Sequence, residues 1–173
     1  MITFESEYKN FSQRLFTSKN LVYFISFIFY SYLIFISKIL NFYTITIELA
    51  LFTFYAFTII NESKSNIDTV TFKENSIILH GETFNTKWIK SINIKKTYIQ
   101  IQSIGSRQGL RSATFYLMLK NKKDNYVINS IDTYSDEGII QIFNEFKKFK
   151  EEKIIVDERL ILLRIQEKIE KCQ

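Results

Sequence analysis

The sequence predicts an α+β membrane protein: an N-terminal transmembrane helical hairpin, then a small antiparallel β-barrel or sandwich capped by a C-terminal helix. Three observations predict it. Residues 21–60 hold only two charged side chains, Lys38 and Glu48. Residues 67–128 break into short runs of alternating apolar and polar residues, separated by turn formers. Residues 135–150 carry an apolar stripe at helical spacing behind a serine. The expected organisation is a segment 1–20 on the cytoplasmic side, a hairpin 21–60, a β domain with capping helix 61–150, and an amphipathic helix 151–173.

Within residues 1–20, Phe4, Tyr8, Phe11 and Leu15 fall at helical spacing. They fit either a short amphipathic helix on a membrane surface or the first part of the folded domain. A cleaved signal peptide fits poorly, because the apolar region starts late, runs long and lacks a small-x-small site.

The first helix is expected at about Asn20 to Ile36 and the second at about Phe42 to Ile60. Eighteen to twenty helical residues at about 1.5 Å rise cover roughly the 30 Å hydrocarbon core of a bilayer. Tyr23 and Tyr43 suit the interface, and Tyr30, Tyr32 and Tyr55 should find hydrogen-bond partners across the hairpin. The cationic flanks Lys9, Arg14, Lys19 and Lys64 outweigh the lone Lys38 of the turn. By the positive-inside bias both termini lie in the cytoplasm of a bacterial inner membrane crossed twice. Glu48 lies about two turns past the bend, where a carboxylate must be neutral, paired or near the interface. Lys38 is its nearest partner, giving a structural polar pair; an ion or proton site is the functional alternative.

After a polar linker at 61–66, strands are expected at Ile67–Phe72, Ser76–His80 closed by Gly81, Thr83–Ile94 with a bend near Trp88, Tyr98–Gln102, Ala113–Lys120 and Tyr126–Ile128. Residues 104–112 read as a loop with Gly105 and Gly109, and 121–125 as a hairpin turn. Ser135 is an N-cap with acidic residues behind it, and Ile139, Ile142, Phe143, Phe146 and Phe149 form the helix's apolar stripe. In the last segment Asp157 is the expected N-cap. Its apolar face, with Ile161, Ile165 and Ile169, packs back on the domain or pairs with another copy.

This layout resembles bacterial membrane proteins with a pleckstrin-homology-like domain, including the YcxB-like group. The resemblance is carried by IDTVTF, SIILHG, the Trp88-Ile89-Lys90-Ser91-Ile92 step, the Phe115–Lys120 strand with its NKKDN turn, and the helix from Ser135. It covers about Leu21 to Lys150 and implies a binding or scaffold module without enzyme chemistry.

The residues themselves offer no catalytic constellation. His80 is the only histidine and Cys172 the only cysteine, so a His-based metal cluster, a Cys/His dyad and an internal disulfide are excluded. Phosphate-loop, dinucleotide and nucleophile-elbow motifs are absent, and no cofactor is implied. The aromatics fall in the hairpin and in core-like positions, so no stacking platform for nucleic acid is indicated. The net charge of +5 arises from residues 61–134. A basic domain tethered beside a bilayer is drawn to anionic headgroups. The candidate contacts to headgroups or a protein partner are Lys87, Lys90, Lys95, Lys96, Arg107, Arg111, Lys122 and Lys123. The alternative reading is an immunity-type protein that shields its cell from a membrane-acting or secreted toxin.

Overall fold

The structure, a computed structural model, describes residues 1–36, 42–104, 113–122 and 124–172. The chain forms two compact units: residues 9–65, and residues 1–8 together with 66–173.

The first unit is helical. Helix α1 (Phe11–Leu15) begins at a capping box, in which the Asn10 side chain accepts from Gln13 N–H and the Gln13 side chain accepts from Asn10 N–H. Helices α2 (Ser18–Ile36) and α3 (Phe42–Ser63) follow the two apolar runs. They meet through rings, Tyr23 on Tyr55 at 5.6 Å and Phe27 on Phe52 at 5.3 Å. Ser26, Ser31, Thr46, Thr53 and Thr58 donate back to the carbonyl four residues earlier, so these hydroxyls are satisfied without water. Helix α3 is long and apolar enough to cross a membrane, with a mean hydropathy of 1.6 over eighteen residues, whereas the apolar stretch of α2 among the described residues is Asn20–Ile36, just short of that length.

The tyrosines depart from expectation. Tyr30 and Tyr32 are exposed on α2, and the Tyr55 hydroxyl is buried with no hydrogen-bond partner among the described residues. Arg14, one of the expected flanking cations, is engaged within its own unit. It is fully buried, and its Nε donates to Ser63 O at 3.0 Å, while Nη1 donates to Lys9 O at 2.9 Å. The last carbonyls of a helix lack partners within the helix, and a guanidinium fork supplies one to the end of α3.

The second unit holds two antiparallel sheets. Strands β1 (Ile2–Glu5), β2 (Ser65–Lys73), β3 (Ser76–Thr83) and β4 (Thr86–Asn93) lie in that order in one sheet; β5 (Tyr98–Ile104), β6 (Thr114–Lys120) and β7 (Asn125–Ile128) form the other. No closed barrel is formed among the described residues. Helices α4 (Asp136–Lys150) and α5 (Val156–Cys172) complete the unit. Strand β1 comes from the segment whose spacing also fitted a helix, and it pairs with β2 from Ile2 opposite Phe72 to Glu5 opposite Thr69. Period-two burial recovers the expected alternation: Ile77 and Leu79 on β3, Ile99 and Ile101 on β5, and Phe115, Leu117 and Leu119 on β6 face the core.

Gly81 does not close β3, as the sequence had suggested; the strand runs on to Thr83 and turns through a two-residue loop, with Phe84 at φ 54°. Gly81 lies opposite Trp88, and a Cβ there would sit 2.3 Å from the indole. The ring therefore occupies the space a side chain would take, and β4 passes Trp88 in unbroken register. Asn129, at φ 69° and fully buried, shapes the chain after β7: its side chain donates to Phe115 O and accepts from the N–H groups of Thr133 and Tyr134.

Ser135 caps α4 by accepting from Gly138 N–H at 3.0 Å, and Ile139, Ile142, Phe143 and Phe146 are buried beneath it. The N-cap role expected of Asp157 is not observed. Asp157 sits inside α5, and the Glu158 carboxylate accepts from Ile155 N–H. Leu162 and Ile165 of α5 are buried in the domain core. Ion pairs tie the two helices at both ends, Lys147 to Glu158 and Lys168 to Asp136, each at 2.8 Å. Part of the mixed charge of these helices is thus interhelical pairing rather than a solvated face.

Candidate functional site

The basic residues expected to act together fall into two groups. Lys87 and Lys90 lie on β4. Lys87 is opposite Glu82 in register, with its ammonium 6.0 Å from the centre of the Tyr8 ring, and Tyr8 donates its hydroxyl to Glu82 at 3.1 Å. Lys90 lies over Trp88 at 5.7 Å and Tyr126 at 5.1 Å. Both ammonium groups rest against aromatic faces, which attract a cation through the ring quadrupole.

Lys95, Lys96 and Lys122 converge. The 3₁₀ turn Ile94–Lys96 enters β5, while Asn121 and Lys122 leave β6, and Tyr98 and Lys120 stand opposite one another in register at that end of the hairpin. Together Lys95, Lys96, Tyr98, Lys120, Asn121 and Lys122 line an open groove of about 510 Å³. Among the described residues its lining holds four lysines and no carboxylate. The turn is built so that its lysines stay outside: Ile94 is buried and its N–H donates to Asn75 O, while Thr97 is buried and its hydroxyl donates to Asn93 O. Tyr98 is 66 % exposed, and Lys150 Nζ lies 4.1 Å from its ring centre. Lys150 is held there by Glu152 at 2.7 Å, and this hydrogen bond, followed by the charges of Lys150 and Lys147, holds the Glu152 carboxyl below its ordinary value.

Such an arrangement can bind a multiply charged anion without chemistry. The ammonium groups supply charge and directional N–H donors, and Tyr98 adds a hydroxyl and an aromatic face. Lys120, Tyr98 and Asn121 were missed in the sequence because they read as strand-end and turn residues. The signal was the pairing of the two strand runs, which sets Tyr98 beside Lys120. Arg107, Arg111 and Lys123 lie outside the described residues. So does Lys38; Glu48 of α3 is partly buried, with Oε1 making no hydrogen bond among the described residues.

Two other hollows are less suited to an anion. One between α2 and α3, of about 210 Å³, is lined by Phe24, Phe52, Tyr55 and other uncharged residues. One of about 530 Å³ is lined by Glu5, Glu7, Asp132, Tyr134, Ser135, Asp136 and Lys168, and Lys168 already neutralises Asp136. Among the described residues, no group of three or more His, Cys, Asp or Glu could hold a metal ion. Comparison of the chain with protein-family models, curated proteins and solved structures finds no match.

Proposed function

We propose that this protein is a membrane-tethered, non-enzymatic binding module. Helices α2 and α3 form its two-pass anchor, with both termini in the bacterial cytoplasm, and the β unit is a pleckstrin-homology-like domain that contacts anionic lipid headgroups. One observation carries the reading: Lys95, Lys96, Lys120 and Lys122 share one open groove with no carboxylate in its lining among the described residues. Close to an anionic surface each such cation contributes about 1 kcal/mol of attraction, so four acting together suffice for selective lipid retention.

The test uses the full-length chain in mild detergent. The protein is exchanged into mixed micelles containing either phosphatidylglycerol or phosphatidylcholine, and retained lipid is measured by mass spectrometry. The wild type retains the anionic lipid preferentially. The variant Lys95→Gln/Lys96→Gln/Lys120→Gln/Lys122→Gln loses that preference, and a Lys87→Gln/Lys90→Gln control keeps it. Equal retention by the wild type and the four-lysine variant would remove the basis of the proposal.

A further inference from the structure

Strand β4 ends its sheet among the described residues and is unlike the other outer strands. Strands β1 and β7 have four residues each, and α4 and α5 pack along β5. Strand β4 has eight residues in continuous register with β3, without a bulge, and all but Trp88 and Ile92 are exposed. Ile89 is 68 % exposed. A long edge without a bulge or proline is a template for another strand, and here the guards are Lys87 and Lys90, the latter on the same face as the buried Ile92.

The hairpin geometry says which amides are open. In a two-residue loop the flanking pair, here Thr83 and Thr86, is hydrogen-bonded, and the pattern alternates from there. Trp88, Lys90 and Ile92 therefore bond to β3, and Lys87, Ile89, Ser91 and Asn93 point their N–H and C=O groups outward.

We propose that a second copy of this chain pairs with β4 antiparallel to it, about a twofold axis at Ile89. Two symmetric registers join seven residues of the strand. The one centred on Lys90 sets that lysine against itself. The one centred on Ile89 opposes Ile89 to Ile89, Lys87 to the second copy's Ser91, and Lys90 to the second copy's Trp88, so that no two lysines lie directly opposite and the two Lys90 residues are only diagonal neighbours. It also buries the exposed isoleucine and adds a lysine–indole contact across the pair. The two cations that ordinarily protect an edge are placed where this register tolerates them.

The proposal is tested by thiol cross-linking of the full-length protein in membranes, with the native Cys172 replaced by Ser. Directly opposed residues of a hydrogen-bonded pair have Cα atoms about 5.5 Å apart, within disulfide range. Ile89→Cys forms a covalent dimer on oxidation. Ser91→Cys alone does not, because its two copies lie roughly 14 Å apart in this register, whereas Lys87→Cys/Ser91→Cys does. Failure of Ile89→Cys to cross-link, or cross-linking of Ser91→Cys to the same extent, overturns the proposal; the first outcome leaves the edge to a strand of another protein.

Discussion

The contact between Gly81 and Trp88 gives the sharpest test of how the β unit is held. In Gly81→Ala the new Cβ would lie 2.3 Å from Cζ2 of Trp88 and 2.6 Å from the backbone oxygen of Asn66. Carbon atoms rest at about 3.5–4.0 Å, so the ring must retreat by more than about 1 Å. It is not free to do so. Its Nε1–H donates to Thr83 Oγ1 at 3.0 Å, and Tyr126 and Lys90 lie against it. The oxygen of Asn66 belongs to the backbone of β2 and cannot rotate away. Overpacking costs about 1–3 kcal/mol, and two fixed neighbours place this change in the upper half, about 2–3 kcal/mol. For a unit of this size that is a fall of roughly 10 °C in Tm. Thermal unfolding of the full chain in detergent can be followed by circular dichroism and by the emission of Trp88, the only tryptophan. The double variant Gly81→Ala/Trp88→Leu should cost less than the sum of its parts by about 1 kcal/mol, since it relieves the ring clash but not the one with Asn66. A Gly81→Ala protein melting within 2 °C of the wild type, on the scale of roughly 4–8 °C per kcal/mol, would refute the reasoning.

Two further perturbations address other parts of the chain. Arg14→Ala removes two charge-assisted hydrogen bonds, one to a buried and one to a partly buried carbonyl, and should cost about 3 kcal/mol. Hydrogen exchange would show faster exchange at the end of α3, and Arg14→Lys would not restore protection, because a single ammonium lacks the guanidinium fork; unchanged exchange in either variant would contradict the assignment. Burial raises the Tyr134 hydroxyl above its ordinary value, with the charge of Asp68 adding to it. Above about pH 10 the unfolded chain then loses this proton while the folded chain keeps it, so the unfolded state binds fewer protons and stability falls as pH rises, by up to about 1.4 kcal/mol per pH unit. Denaturant titrations from pH 9 to 11 should show this slope in the wild type and a shallower one in Tyr134→Phe.

Much of the local structure was legible in the residues alone. Two apolar runs without internal breakers could only be helices, and α2 and α3 match them to within three residues at either end. Alternation set the faces of β3, β5 and β6, and Ser135 set the start of α4, because these features depend on neighbours in sequence. What depended on distant neighbours was not legible. Gly81 reads as a strand terminator until Trp88 is known to lie opposite it. Phe4 fits a helix as well as a strand until β2 offers it an edge. Asp157 reads as the cap of the last helix, but the carboxylate that accepts from Ile155 N–H at its start is that of Glu158.

The candidate site divides in the same way. Charge counting along the chain determined that residues 61–134 are basic, since net charge is a sum that needs no geometry. It could not group the lysines. Alternation and turn placement in the tertiary structure sent Lys87 and Lys90 to aromatic faces on β4, and gathered Lys95, Lys96 and Lys122 with Lys120 and Tyr98 at one end of the β5–β6 hairpin. The sequence by itself determined which segments are apolar, which are strands and where the positive charge lies. Only the folded chain decided which cations share a surface, because that depends on strand register and on packing between residues far apart in sequence.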